Sequence, residues 1–389
     1  MDFQFTEEQK MLKSVTRDFM EKEIIPRVDE YEEKYEPLPR EELLRLMKEL
    51  APLGYLGTVI PREYGGEGLD CISYGVLLEE LARAWGSLGF TIWVHQLVGP
   101  WVYLNLGSKE QKKKYIPPAV AGEKICGYGL TEPNVGSGLM DIETTAVLDG
   151  NHYIINGTKT WLSNGSVADY IILYLYTDKS KGAHGGTSII MVDRGESSFT
   201  AKDIHKIGLR CSPTSEVIFA DCRVPKENLL GEEGEGYKLS LGSFLLFRPS
   251  FGMCGVGLSQ AAIDASIKYA QERIQFGRPI GKFQMVQGMI ADMVMETEAS
   301  RLLTYEALSL MDRGEAPFKE ASMCKVFSTE AAFRVTHKAV EIHGAYGLSK
   351  DYPVERYFRD ATTLIPPDGT SQIQRLILAR ETLGMSAFV

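Results

Sequence analysis

Near the end of the chain, Leu364-Ile365-Pro366-Pro367-Asp368-Gly369-Thr370-Ser371 sets a carboxylate between a stiff segment and a helix start. Two prolines keep the backbone extended, Gly369 admits dihedrals closed to most residues, and Thr370 or Ser371 suits a helix cap. Ile373, Leu376, Ile377 and Leu383 then recur at helical spacing, so the last helix is expected to bury a face and hold Asp368 at its approach. A carboxylate held in this way is a candidate proton acceptor. By itself it also reads as an ordinary turn residue, and the rest of the chain must decide.

Other chemistry-bearing patterns are weak. Pro61-Arg62-Glu63-Tyr64-Gly65-Gly66-Glu67-Gly68 is glycine-rich but matches neither a P-loop nor a dinucleotide fingerprint. Six cysteines (Cys71, Cys126, Cys211, Cys222, Cys254, Cys324) contain no C-x-x-C pair, which disfavours a zinc knuckle or disulfide framework and suggests reduced, mostly buried thiols. A formal charge of -10 disfavours sequence-independent nucleic-acid binding, and Lys112-Lys113-Lys114 reads as a solvated helix face. The acidic start Met1-Asp2-Phe3-Gln4-Phe5-Thr6-Glu7-Glu8 has no signal-peptide pattern, and no run of about 20 apolar residues predicts a membrane span. No metal site is expected, and a cytoplasmic location is.

The elements that must position these residues fall into three blocks. With 389 residues and 44% hydrophobic content, two or three packed units are expected. Helical periodicity runs from a start signal at Thr6-Glu7-Glu8-Gln9 to about residue 120, with further helices at 40–53, 71–85, 88–105 and 109–116. From 121 to 236 the pattern becomes strands, around 153–155, 170–174, 187–192 and 216–219, with Asp149-Gly150, Asn156-Gly157 and Asn164-Gly165 as turn signals. Past Gly231-Glu232-Glu233-Gly234-Glu235-Gly236 the helical period returns, at 237–274, 283–312, 317–345 and 371–383. The expected fold is α+β: a helical domain at 1–120, a small β-barrel or sandwich domain at 121–236, and a four-helix bundle at 237–389.

Four motifs carry a resemblance. Tyr128-Gly129-Leu130-Thr131-Glu132-Pro133-Asn134-Val135-Gly136-Ser137, Lys159-Thr160-Trp161-Leu162-Ser163-Asn164-Gly165, Arg273-Ile274-Gln275-Phe276-Gly277-Arg278-Pro279 and Asp368-Gly369-Thr370-Ser371-Gln372-Ile373-Gln374 together resemble the acyl-CoA dehydrogenase family, in its order and spacing over essentially the whole chain. The resemblance implies FAD. Tyr128, Leu130 and Thr131 would meet the isoalloxazine edge, Trp161 would cover the ring, and Ser163 would donate near N5. Arg273, Gln275, Phe276 and Gln284 would serve the diphosphate of a neighbouring subunit, in a homotetramer. Gly344 and Ala345, with Glu341 more weakly, match a glycine-rich turn near the same diphosphate, and Thr370 and Gln372 would also lie against the cofactor. Here Glu341 stands where the family usually has Gln, and Val135 and Gly138 also depart from its pattern. His343 is expected to be packed.

The resemblance also implies an acyl-CoA thioester substrate and an electron-transferring flavoprotein as acceptor. Asp368 falls at the position of the family's catalytic carboxylate, usually Glu, and Pro367 replaces the usual aromatic before it. In some members the base lies on the helix that here carries Arg248; the aligned residue is Phe247, so no rival carboxylate is offered. Ser137, Thr91, Arg248, Phe247 and Gly369 are expected on the substrate side. An Asp base resembles the members acting on alicyclic thioesters, which points to cyclohexane-1-carboxyl-CoA oxidised to cyclohex-1-ene-1-carboxyl-CoA in aromatic compound degradation. Thr91 disfavours the related 1,4-dehydrogenation of the ring-unsaturated thioester, which would want a second carboxylate there. The alternatives are that 1,4-dehydrogenase, a short- or branched-chain dehydrogenase, an oxygen-using oxidase, or a catalytically idle flavin-binding scaffold.

Overall fold

The computed structural model describes residues 4–387. The first helix, α1 (Glu7–Phe19), starts where the sequence signals it: the Thr6 side chain accepts from the Gln9 N–H and the Gln9 side chain answers the Thr6 N–H. It is followed by α2 (Ile25–Lys34), α3 (Arg40–Leu50), α4 (Cys71–Ala84) and α5 (Gly86–Gln96). A π-helical turn at Leu97–Trp101, holding Pro100, joins α5 to α6 (Val102–Leu106). Then α7 (Lys109–Val120) runs past the expected stop at 116, through Pro117 and Pro118. Tyr115, Ile116, Ala119 and Val120 are all buried on this helix, and that packing outweighs the local proline signal.

The middle of the chain supplies β1 (Cys126–Gly129), β2 (Thr145–Asp149), β3 (His152–Ser163), β4 (Tyr170–Tyr176), a single turn α8 (Ala183–Gly186), β5 (Thr187–Asp193), β6 (Thr200–Asp203), β7 (Thr214–Pro225) and β8 (Leu229–Leu230). They form one sheet in the order β6-β7-β3-β1-β4-β5-β8, and β2 pairs with both β3 and β4. β1 fills the space between β3 and β4 at one end, and β2 approaches both at the other. Asn156-Gly157 is not the turn its dipeptide suggests. It lies inside β3 at a register shift against β7. There Gly157 has φ +147°, and a Cβ would sit 2.4 Å from Thr144 Oγ1, so the glycine admits a close backbone approach within a bulge.

The last block begins with α9 (Gly236–Glu272), turns through a two-stranded hairpin, β9 (Ile274–Gln275) and β10 (Arg278–Pro279), and continues as α10 (Gln284–Asp312), α11 (Phe318–His343), α12 (Val354–Thr363) and α13 (Ser371–Leu383). α11 packs on α9, α10, α12 and α13, while α9 also packs on α4. By length and composition α9 could cross a membrane, but 83% of its apolar window is buried inside the fold, so it is the central helix of the bundle. α12 was not expected from the sequence. α13 has the expected limits but a different buried face: Ile377 is buried with polar Ser371 and Gln374, and Leu383 is exposed.

Candidate active site

Asp368 occupies the loop between α12 and α13. Its backbone lies in the left-handed region at φ +61°, followed by Gly369 at φ +93°. Two buried side chains hold this shape. Gln374 Nε2 donates to the carbonyls of Asp368 (2.8 Å) and Gly369 (3.1 Å), and Lys325 Nζ donates to those of Ile365 (2.6 Å) and Gly369 (2.9 Å). The Thr370 side chain caps α13 by accepting from Ile373 N–H, so Thr370 serves the helix directly. Asp368 Oδ2 itself is buried with no hydrogen-bond partner. Burial pushes the Asp368 carboxyl up to about 6, against the opposing pull of Arg248 and Lys325.

Both cations are themselves buried. Arg248, on α9, donates through Nη1 to Ser322 Oγ (3.2 Å) and lies 5.1 Å from the Phe244 ring, while its Nε has no partner. Burial lowers its pKa and the Asp368 charge restores part of the loss. The Lys325 ammonium is pushed down to about 8 by burial, with Asp368 opposing and Arg248 adding to the fall. Among the described residues, Asp368 forms no ion pair within 4.0 Å. Its oxygen therefore feels two positive charges without being tied to either.

An aromatic wall stands beside this loop. The Phe247 ring, buried on α9, lies 6.1 Å from Tyr128, 5.9 Å from Trp93 and 6.3 Å from Trp101. Burial raises the Tyr128 phenol well above its ordinary range, and the Asp368 charge adds to the rise, so the two side chains share one environment. Trp101 and Leu245 also line a cavity of about 680 Å³, which continues past Asn105, Tyr237, Leu241 and Phe318. Trp101 thus belongs both to the cavity lining and to the aromatic cluster around Phe247, whose Tyr128 feels the Asp368 charge.

The first two motifs are brought together by the sheet. Tyr128 and Ser163 are register partners between β1 and β3. Thr160 N–H donates to Thr131 O. Lys159 Nζ meets Glu132 Oε1 at 2.7 Å and Leu130 O at 3.0 Å, and Glu132 also accepts from Glu143 and Thr144 N–H. Two residues on from Lys159, Trp161 takes a left-handed φ of +56° and is 57% exposed. Ser137 sits on the exposed loop after β1.

The third motif lies apart. Arg273, Gln275 and Phe276 form the exposed hairpin after α9, and Gln284 is the exposed first residue of α10. Phe276 is 93% exposed at φ +51°. The Arg273 guanidinium lies 5.6 Å from the Tyr346 ring, which places the hairpin beside the turn holding Gly344 and Ala345. Glu341, exposed in the last turn of α11, approaches His337 at 3.9 Å. Gln372, at the start of α13, is also exposed.

One expectation needs correction. Thr91 does not present its hydroxyl to a substrate: Oγ1 lies 2.8 Å from both Ser87 O and Ser212 Oγ, and the side chain is buried between α5 and the loop before β7. Lys325 and Gln374 hold the Asp368 loop, yet neither stood out in the sequence, where a lone Lys or Gln in a helix reads as a solvated position. His343 is packed as expected, stacked on Tyr269 at 4.2 Å. His95 is a core residue kept neutral by burial, its pKa pushed down to about 4.

Comparison with known proteins agrees along the full length. The chain matches the family model described as acyl-CoA dehydrogenase, N-terminal domain over 6–123, the middle-domain model over 127–222 and the C-terminal-domain model over 234–383. It is 41% identical over 388 residues to a glutaryl-CoA dehydrogenase of Desulfococcus multivorans, covering 99% of each chain. It superposes with TM-score 0.94 and 39% identity on a chain solved in work on the electron transferring flavoprotein of Acidaminococcus fermentans, covering 98% of this chain and 100% of that one. A glutaryl-CoA dehydrogenase of Mycobacterium smegmatis in complex with FADH2 gives TM-score 0.92 at 27% identity, covering 99% of this chain and 97% of that one. The residues present fit a flavin. Trp161 offers an exposed apolar ring beside the Tyr128–Ser163 register, and Arg273 pairs with no carboxylate among the described residues.

Proposed function

The chain belongs to the acyl-CoA dehydrogenase family, FAD-dependent oxidoreductases acting on CH–CH groups, and we propose that Asp368 is its catalytic base, taking the α-proton of an acyl-CoA thioester. The observation that carries this reading is the Asp368 Oδ2 atom, buried, unpartnered and ionisable near neutral pH. FAD, when bound, supplies the acceptor for the β-hydride. Asp368 Oδ2 takes the α-proton, and the electron pair of the broken Cα–H bond becomes the second bond between Cα and Cβ as the β-hydrogen leaves with its own pair. The backbone N–H of Asp368 is oriented by the Gln374 and Lys325 bonds on either side of it and is assigned to the developing enolate oxygen. The Phe247 cluster excludes water from the base.

For the acyl group we favour an alicyclic thioester, cyclohexane-1-carboxyl-CoA going to cyclohex-1-ene-1-carboxyl-CoA. Asp is one methylene shorter than Glu, which leaves room for a ring branched at the α-carbon. The surrounding wall of Trp93, Trp101, Phe247 and Phe251 is apolar and aromatic. Thr91 is not an acid, which favours 1,2- over 1,4-dehydrogenation. The unpartnered Arg248 Nε supports a second reading, a thioester ending in a carboxylate such as glutaryl-CoA. An electron-transferring flavoprotein is assigned as acceptor. Free thiols at all six cysteines fit a reducing cytoplasm. Assembly into a homotetramer would cover Met285, Val294, Met295 and Leu302, exposed along α10, together with Phe276.

The holoenzyme mixed anaerobically with cyclohexanecarboxyl-CoA is expected to lose its oxidised-flavin absorbance, faster than with glutaryl-CoA. Absence of bleaching with any cyclic, branched, dicarboxylic or linear thioester would show an idle scaffold. Hydrogen peroxide formed stoichiometrically in air would show an oxidase.

A further inference from the structure

Lys325 lies in the interior of α11, and its side chain is fully buried. A lysine in such a place is costly unless something uses its charge. Its partners are not carboxylates. Nζ is bonded to two main-chain carbonyls, Ile365 three residues before Asp368 and Gly369 one residue after it, and lies 5.8 Å from the Phe251 ring. The ammonium therefore bridges both ends of the loop that carries the base, and its charge reaches Asp368 without occupying the carboxylate.

We propose that Lys325 is a positioning residue for the dehydrogenation: it ties the two ends of the Asp368 loop together and supplies the positive charge that keeps a buried base ionised without bonding to it. The inference rests on the reading of Asp368 as the base. Hydrogen bonds to carbonyls hold the loop, and the field of the same group favours the carboxylate over the carboxylic acid. A direct ion pair would do the second but would block the oxygen that must take a proton. The other groups acting on Asp368 are Arg248 from α9, which also favours the ionised form, and Tyr128 from β1, whose interaction is with the same charge. Lys325 in turn is acted on by Arg248 and by Glu330 of its own helix, and Arg248 by Cys324 and Arg380.

The test uses holoenzyme variants and the pH dependence of kcat/KM. Lys325→Gln keeps donors for the carbonyls and removes the charge, Lys325→Met removes both, and Lys325→Arg keeps the charge. The acid limb is expected to move up by about one pH unit in Lys325→Gln and Lys325→Met, and to stay near the wild-type position in Lys325→Arg. In Lys325→Gln the loss below pH 7 should appear in kcat with little change in KM. An acid limb left in place in Lys325→Gln overturns the proposal and leaves Lys325 a structural staple. If neither uncharged variant takes up FAD, Lys325→Arg decides: its acid limb must stay within about half a pH unit of wild type although its planar fork cannot reproduce the two carbonyl bonds, and a limb moved up by about one unit overturns the proposal. Asp368→Asn run alongside separates the two claims, since turnover retained there would sink the base assignment itself.

Discussion

Glu132 and Lys159 form a buried ion pair, Oε1 to Nζ 2.7 Å, that joins the loop after β1 to the strand carrying Trp161. Burial pushes the Lys159 ammonium down to about 8, with Glu132 opposing, and Glu132 is held below its usual range by Lys159 and by the N–H groups of Glu143 and Thr144. Glu132→Gln or Lys159→Met should destabilise the protein by about 3–5 kcal/mol, because each leaves a charge unpaired in the interior. The double variant should recover part of that loss. Denaturant titration with parallel measurement of bound flavin checks this, and a single variant with wild-type stability and flavin content would contradict it.

Removing the base should separate binding from chemistry. Asp368→Asn is expected to keep FAD and thioester binding while turnover falls by about 10²- to 10⁴-fold. Stopped-flow bleaching is the measurement. A rate within tenfold of wild type would place the proton acceptor elsewhere.

The acid limb of the reaction follows from the same group. A base must be ionised, and the Asp368 carboxyl is raised to about 6, so kcat/KM should fall about tenfold per pH unit below that value and level off above it. The sign for folding is opposite. A carboxyl raised in the folded state binds its proton more tightly there than in the unfolded chain, so at this site stability rises as pH falls from about 6 toward 4. An acid limb near 4 would show that the two cations fully cancel burial.

The exposed hairpin after α9 gives a prediction about the cofactor. Arg273→Ala should weaken FAD binding by roughly 10- to 100-fold, the loss of a charge-assisted hydrogen bond, without changing helix content. Equilibrium dialysis against free FAD measures it. Wild-type affinity would remove Arg273 from the diphosphate site.

Much of the fold was written in local signals. The Thr6–Gln9 capping box starts α1 as read, and α13 runs from Ser371 to Leu383 as expected. Tertiary packing decided the rest. α7 crosses two prolines because Ile116, Ala119 and Val120 have a core to enter. The Asn156-Gly157 pair is a bulge because β7 lies alongside it. At the site, the Asp368 turn and the Trp161 strand were legible from their motifs, but Lys325, Gln374 and the Glu132–Lys159 pairing were not. The partners of Lys159 and Lys325 lie 27 to 44 positions away, where no local spacing announces them, and Gln374 bonds only five and six positions back but to carbonyls that the left-handed turn brings toward it.

The left-handed backbone at Asp368 bears on how this enzyme could be re-engineered. Aspartate and asparagine are several-fold enriched in that region, whereas β-branched or bulky side chains are outliers there. A longer acid at 368 would therefore change the reach of the carboxylate and also strain the turn that presents it. The base and the shape of its perch are a single heritable unit, and swapping one should call for compensating changes at Gly369 or Gln374.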